Sequence, residues 1–142
     1  GPATLLQQKL LPYFQLNTLN EIRYAIYDPA DINRKLVISQ FAPLVTQTAA
    51  AGDPIAQDIL RRAGNEIGLS IVSVAQRLGL CEQAFPVGLI GGVFKAGDLV
   101  VGPLRDTVLQ SAPQANVFIT KNSPALGAVR LAIQATKRND AA

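Results

Sequence analysis

The stretch VGLIGGVFKAG, residues 87–97, decides the fold of this chain. A short apolar run ends on two adjacent glycines, Gly91 and Gly92, and a helical pattern follows. Glycines at such a point allow either a tight turn from strand to helix or the close approach of a flat or phosphorylated ligand to the backbone. The dipeptide leaves both explanations open. Neither a Walker A pattern nor G-x-G-x-x-G is present, so the standard phosphate-loop mechanisms do not apply.

The second half of the chain alternates strands and helices. Apolar runs predict strands at residues 86–91 and 117–120, and helical patterns follow at residues 98–111 and 124–137. This order predicts two parallel strands joined by a right-handed crossover. Parallel strands end at the same edge of a sheet, so the turn after the second strand, residues 122–127, should share one crevice with the glycine pair. Ser123 as N-cap and Pro124 in the first turn mark the start of the last helix.

The first half of the chain predicts helices. Two short ones are expected at residues 5–11 and 19–27, with Pro12 ending the first. Each follows a pair of residues spaced as in a capping box, in which side chains satisfy the free amides of a first turn. The pairs are Thr4 with Gln7, and Thr18 with Glu21.

A third helical region covers residues 31–51, with a kink or a break expected at Pro43 because proline removes a backbone donor. Residues 52–54, Gly-Asp-Pro, then supply a stop, an N-cap and a first-turn proline. They should end one helix and begin the next.

The long helix that follows is expected to run to about Gly79. Apolar residues recur in it at the three- and four-residue spacing of a buried face. They are Ala56, Ile59, Ala63, Ile67, Ile71, Val74 and Leu78. Gly64 and Gly68 lie one turn apart in the same helix, where glycine is unfavourable, so another backbone or a ligand should approach closely there.

Composition limits the possible functions. With 142 residues, 49% of them hydrophobic, the chain is large enough for one domain with a core. The net charge of +3 comes from scattered basic residues, with no basic stripe of the kind that binds nucleic acid. No apolar run has the roughly 18 residues that a bilayer span needs. We therefore expect neither nucleic acid nor membrane as a partner.

Catalytic chemistry has few possible carriers. The chain has no histidine, which excludes a Ser-His-Asp set, and Cys81 is the single cysteine. The carboxylates occupy turns, helix starts and helix interiors, where capping and solvation explain them. The sequence therefore predicts no catalytic residue and no metal ligand.

Two longer segments resemble a known family. VGLIGGVFKAGDLVVGPL (87–104) and NVFITKNSPALGAVRLAI (116–133), preceded by FAPLVTQTAAAGDPIAQDILRRAG (41–64), are similar to the C-terminal part of the BadF/BadG/BcrA/BcrD ATPase family, particularly its N-acetylglucosamine kinase-like members. The resemblance extends from about Ala3 to Thr136. It implies the C-terminal portion of a ribonuclease-H-like, actin-like ATPase lobe: a helix-rich α/β fold with two parallel strands and about five to six helices.

The resemblance also implies a nucleotide site. In the family, the two glycines after the strand lie against adenosine, and small residues of the last helix pack near the nucleotide and the hinge. The residues that match are Gly91 and Gly92 against the adenosine, Val93 and Phe94 in the pocket wall, and Gly127 and Ala128 in the last helix. The long helix around Gly64 would border the adenine.

The family's phosphate- and metal-binding turns precede the matched region. The resemblance therefore implies that residues 1–142 form one partial domain, with a helical segment at 3–80 and a nucleotide-side strand-helix-strand-helix unit at 81–138. It implies ATP or ADP as the cofactor, Mg²⁺ bound mainly by residues outside the chain, an amino sugar as substrate of the larger kinase, and no catalysis by this chain alone. The single cysteine, Cys81, separately favours a cytoplasmic location, because it cannot form an internal disulfide. The exposed strand edge is expected to pair with the missing N-terminal lobe or with a second copy.

Two other functions stay open. One is a non-catalytic interaction or regulatory module with the same fold. The other is part of a dehydratase-activator-type ATPase of the same family, which handles electron transfer with an iron–sulfur cluster. Cys81 alone is too few ligands for such a cluster.

Overall fold

The structure, a computed structural model, describes residues 4–22, 34–121, 125–129 and 133. In chain order the elements are α1 (Leu5–Tyr13), α2 (Arg34–Ala50), α3 (Pro54–Arg77), β1 (Phe85–Leu89), a 3₁₀ helix (Gly92–Ala96), α4 (Asp98–Ser111) and β2 (Ala115–Ile119). Residues 19–22 and 125–129 are also helical. The predicted helix-rich α/β arrangement with two parallel strands is confirmed. Residues 23–33 and most of the predicted last helix lie outside the described residues.

Asp53 begins α3 and also holds the start of α1. One carboxylate oxygen accepts from the Ala56 N–H at 2.9 Å, as expected of an N-cap, and Pro54 fills the first position of the helix. The other oxygen accepts from the Leu6 N–H at 3.0 Å, 47 residues away in the chain. Asp53 is only 4% exposed. One side chain therefore satisfies free amides at two helix starts.

The predicted capping pairs near the start of the chain are both in contact. The Thr4 hydroxyl accepts from the Gln7 N–H at 3.1 Å. In the second pair the Thr18 hydroxyl donates to the Glu21 carboxylate at 3.0 Å, and that carboxylate also accepts from the Asn17 N–H at 2.9 Å. In the second pair it is therefore the Glu21 carboxylate, and not the Thr18 hydroxyl, that accepts from a backbone N–H.

Among the described residues, prolines lie inside three helices. The expectation that Pro12 ends α1 is wrong, since the helix includes it and ends at Tyr13. Pro43 does not break α2, which runs through it. Pro103 lies in α4, where the preceding Gly102 has no Cβ to clash with the proline ring. A proline removes one helix hydrogen bond, and tertiary packing can offset that loss.

The sheet consists of β1 and β2, paired in parallel from Phe85 opposite Ala115 to Leu89 opposite Ile119. Side chains alternate between its two faces. Phe85, Val87 and Leu89 of β1 lie on the face that packs against α4. Phe118, on the opposite face, is 43% exposed, and a Cβ added at Gly88 would lie in ordinary contact distance of its ring.

Helices α3 and α4 pack closely through the two glycines of α3. A Cβ at Gly64 would overlap the carbonyl oxygen of Val100, and one at Gly68 would lie 3.0 Å from the carbonyl oxygen of Leu104. Four residues further along α3, from Gly64 to Gly68, the contact lies four residues further along α4, from Val100 to Leu104. Helices α3 and α4 therefore run in the same direction. The approach inferred from the glycines is therefore that of another backbone.

The buried face of α3 differs from the predicted one. Ile59, Val74 and Leu78 were expected in the core but are 42%, 56% and 65% exposed. The buried residues are Ala56, Leu60, Gly64, Gly68, Val72 and Ala75. Gly64 and Gly68 lie at the contact with α4, where a Cβ would meet the α4 backbone, whereas Ile59, Val74 and Leu78 lie off the buried face.

In the part of the chain that the structure describes, two apolar clusters form the core. The first contains Leu6, Leu44, Ala49, Ala56, Leu60 and Val100, and joins α1, α2, α3 and α4. The second contains Leu89, Val101, Leu104, Val108, Ala112 and Ala115, and joins α4 to the sheet. The adjacent residues Val100 and Val101 thus belong to different clusters. Within the described ranges, no helix has the length and apolar character required to cross a membrane.

Candidate functional site

The carboxyl ends of both strands meet at one edge of the sheet, as expected. Leu89 pairs with Ile119 at the end of the ladder, and the Thr120 N–H donates to the Leu89 carbonyl at 3.0 Å. The chain leaves this edge through Ile90 and Gly91 into the 3₁₀ helix. Open parallel sheets bind ligands outside this edge.

Gly91 makes the turn that leaves β1. Its φ of 135° and ψ of 165° lie in a region that glycine alone occupies without strain. Its Cα faces open space. The turn explanation left open by the sequence therefore accounts for Gly91.

The turn does not require a glycine at position 92. Gly92 is the first residue of the 3₁₀ helix and is exposed, and its φ lies outside the left-handed region. A Cβ placed on it would meet no atom within 4 Å. The fold therefore tolerates a side chain at this position, whereas the bare backbone leaves room for a flat group to lie against it.

Val93 and Phe94 link the glycine turn to the core. Both side chains are partly buried: Val93 packs on the first cluster, and Phe94 packs on both clusters. They anchor the 3₁₀ helix, which begins at Gly92 directly after Gly91, to the core. Lys95 is exposed on the same short helix. The role of Val93 and Phe94 as a pocket wall stays a prediction.

Gly127 and Ala128 lie in a helical segment after β2, and both are exposed. A Cβ at Gly127 would meet no atom within 4 Å. Residues 122–124, including Ser123 and Pro124, lie outside the described residues. The crevice shared by this segment and the glycine pair therefore stays a prediction.

A polar pocket beside the 3₁₀ helix was not predicted from the sequence. Its volume is about 380 Å³, and it opens between α3 and the first turns of α4. Arg61, Asp98 and Asp106 contribute its charged groups, and Ala96 and Leu99 its apolar wall. Arg61 also donates to the Gln57 side chain at 3.3 Å. The pocket offers a cationic donor, Arg61, and carboxylate acceptors, Asp98 and Asp106. Arg61 is at least 37 residues from either aspartate in the sequence.

Backbone hydrogen bonds perturb the carboxyl group of Asp53. The N–H groups of Ala56 and Leu6 hold the pKa of Asp53 below its ordinary value, because they stabilise the ionised form. This group lies at the helix starts rather than near the sheet edge, so its role is structural. Among the residues with described positions, no three His, Cys, Asp or Glu side chains group as metal ligands.

Comparison with known proteins identifies a family and two relatives. Residues 14–132 match the sequence model of the BadF/BadG/BcrA/BcrD ATPase family. An N-acetyl-D-glucosamine kinase of Dictyostelium discoideum is 32% identical over 138 residues, which are 96% of this chain and 43% of that protein. An N-acetylmuramic acid/N-acetylglucosamine kinase of Clostridium acetobutylicum is 24% identical over 132 residues, 93% of this chain and 42% of that protein. The chain spans less than half the length of either relative.

Proposed function

Because this chain belongs to the BadF/BadG/BcrA/BcrD ATPase family, we propose that it is the adenine-nucleotide-binding portion of an ATP-dependent kinase that phosphorylates amino sugars of the N-acetylglucosamine type. In this proposal residues 1–142 are one partial domain of a longer cytoplasmic polypeptide. The two kinases that it resembles over nearly all of its length support this function.

The open backbone at Gly92 carries the proposal. It lies at the carboxyl edge of a parallel sheet, next to a turn that already has its required glycine in Gly91. A second glycine that the fold does not require is explained if adenosine lies against it, since a side chain there would fill the space that the ligand needs.

The other members of the proposed site have supporting roles. Phe94 and Val93 anchor the glycine turn to the core, so the backbone that meets the nucleotide is held rigid. Gly127 and Ala128 present a nearly bare helix surface, which suits close approach of the nucleotide or of a moving lobe. Bound ATP would supply the phosphoryl group. The proposal assigns Mg²⁺ and the amino sugar mainly to residues outside this chain, and no catalysis to the chain alone.

Two measurements on the full-length polypeptide that carries this sequence test the proposal. Calorimetric titration with ADP should show binding. Incubation with ATP and N-acetylglucosamine should yield the phosphorylated sugar. Absence of ADP binding would favour the non-catalytic module of the same fold. ADP binding without transfer to any amino sugar would refute the proposed substrate class.

A further inference from the structure

The outer face of α3 carries an exposed stripe of side chains with the spacing of a coiled-coil seam. Its members recur at alternating intervals of four and three residues, and they are Ile55, Ile59, Arg62, Glu66 and Leu69. This repeat is the pattern by which two helices pair side by side. All five residues are exposed, and the three apolar ones are 47%, 42% and 54% exposed. No element of the described chain covers this outer stripe.

The outer stripe lies on the side of α3 that the core does not use. Gly64 and Gly68 of the same helix face α4, where a Cβ would meet the α4 backbone. At about 3.6 residues per turn, the outer stripe points nearly opposite to these two glycines. Single apolar side chains on a surface are ordinary, but a regular series at seam spacing is typical of a helix that packs on another helix.

The order of the charges in the outer stripe identifies a second copy of α3 as its partner. When two copies pair antiparallel about a two-fold axis near position 64, Arg62 of each copy lies opposite Glu66 of the other. The same register places Ile59 of each copy opposite Leu69 of the other. Apolar residues thus meet apolar residues, and opposite charges meet twice. Parallel pairing in register would instead place like charges against each other at positions 62 and 66, which is unfavourable.

Arg62 can take part in such a pair without losing its present partner. Its guanidinium lies 2.8 Å from the Asp58 carboxylate, one turn earlier in the helix, and its side chain is 78% exposed. A guanidinium has several N–H donors, so it can bind Asp58 and the partner's Glu66 together. Exposed ion pairs add little free energy. The contact between Ile59 and Leu69 therefore supplies most of the attraction, and the charges fix the register.

We propose that residues 55–69 of α3 form a two-fold interface through which two molecules of the full-length polypeptide associate, with their α3 helices antiparallel. This surface is separate from the open edge of β1. The outer stripe is about 21 Å long at about 1.5 Å per residue. A contact of this length between two helices buries less than the about 800 Å² per partner of a standard stable interface. We therefore expect a reversible dimer of folded monomers, whose formation does not depend on nucleotide binding.

Sedimentation velocity of the full-length polypeptide over a range of concentrations tests the interface. We expect a monomer at low concentration and a dimer at high concentration. Arg62→Glu should weaken the dimer about tenfold or more, because both symmetric ion pairs become pairs of like charge. Glu66→Arg should weaken it similarly. The double variant Arg62→Glu/Glu66→Arg restores opposite charges at both pairs and should recover most of the affinity.

Arg105→Glu is the matched control, since it makes the same change of charge at an exposed position of α4, outside the outer stripe. It should leave the affinity of the dimer unchanged. A monomer at every concentration would overturn the proposal. So would equal weakening by Arg62→Glu and Arg105→Glu, or failure of the double variant to recover the affinity.

Thermal unfolding of the monomer tests whether another part of the same polypeptide covers the outer stripe instead. Leu69→Ala should leave the unfolding temperature of the monomer nearly unchanged, because the monomer folds without the interface. A clearly lower unfolding temperature would assign the outer stripe to an intramolecular contact and overturn the proposal. A dimer that Arg62→Glu disrupts, in a protein that fails to bind ADP, would refute the proposed kinase function and leave the interface intact.

Discussion

Gly64 lies against the backbone of Val100, whose carbonyl oxygen occupies the space where a side chain at position 64 would begin. This contact sets the distance between α3 and α4. Because α4 also packs on the sheet, the same contact fixes α3 relative to β1 and to the glycine turn that follows it. The Gly64 contact is therefore structural, and the family-based expectation that α3 borders the adenine receives no support from it.

Gly64→Ala should destabilise the protein by about 1–3 kcal/mol, because the added methyl group must push α4 away from α3. Urea unfolding measures the change. Gly127→Ala is the control, since it also replaces a helical glycine but faces open space. That substitution should leave stability unchanged or raise it by up to about 1 kcal/mol, the difference in helix propensity. Similar effects at the two positions would contradict the packing described for α3.

Leu104→Ala should cost about 2–5 kcal/mol, because Leu104 is fully buried in the cluster that joins α4 to the sheet. Leu69→Ala, at an exposed position of α3, should stay within about 0.5 kcal/mol. Thermal and urea unfolding of both variants provide the comparison. A small loss at Leu104 would mean that the sheet and α4 do not share a core.

Asp53 should make stability depend on acid pH. Its pKa is lowered in the folded chain, so its contribution is complete above the pKa of an unfolded aspartate, about 4, and is lost as the pH falls through the lower folded value. Asp53→Ala should lower the unfolding temperature at neutral pH and flatten its decline below about pH 4. The measurement is a series of thermal unfolding curves across that range.

Asp58→Asn is the control for the aspartate experiment. Asp58 forms an ion pair with Arg62 at 2.8 Å, but both side chains are well exposed, so the pair should contribute little. If Asp58→Asn and Asp53→Ala lowered the unfolding temperature equally, the bridge from Asp53 to the start of α1 would not have the role assigned to it.

Gly92→Val should weaken ADP binding to the full-length polypeptide about tenfold or more, with its unfolding temperature nearly unchanged. The valine side chain would fill space that no protein atom uses. Gly91→Val should behave differently and destabilise the fold, because its φ of 135° strains any residue with a Cβ. Titration calorimetry and thermal unfolding of both variants separate the two roles. Unchanged ADP affinity in Gly92→Val would mean that the glycine pair forms only a turn and does not contact the nucleotide.

Local signals in the sequence predicted much of the fold. Asp53 and Pro54 mark the start of α3, and residues 98–111 match the bounds of α4, because capping and helix periodicity act over a few residues. The parallel pairing followed from the order of elements, since a strand, a helix and a strand have few ways to connect.

The buried face of α3 could not be predicted in this way. Periodicity follows the apolar residues, such as Ile59 and Val74, whereas the close contact with α4 requires glycine at positions 64 and 68, which a search for apolar residues passes over. The polar pocket with Arg61 and Asp98 was missed for a related reason: only the packing of α3 on α4 brings these residues together. The different roles of Gly91 and Gly92 could likewise be distinguished only from their backbone angles and from the free space around each Cα.

Val100 and Val101 are adjacent in the sequence but pack in different core clusters, and this arrangement affects how the molecule unfolds. A change in the register or tilt of α4 would displace both valines at once, so we expect loosening of one cluster to disturb the packing of the other. We therefore expect the helical half and the sheet half to unfold together as one cooperative unit. A disturbance at the glycine edge of the sheet would be transmitted through one helix to the Leu6 end of the chain.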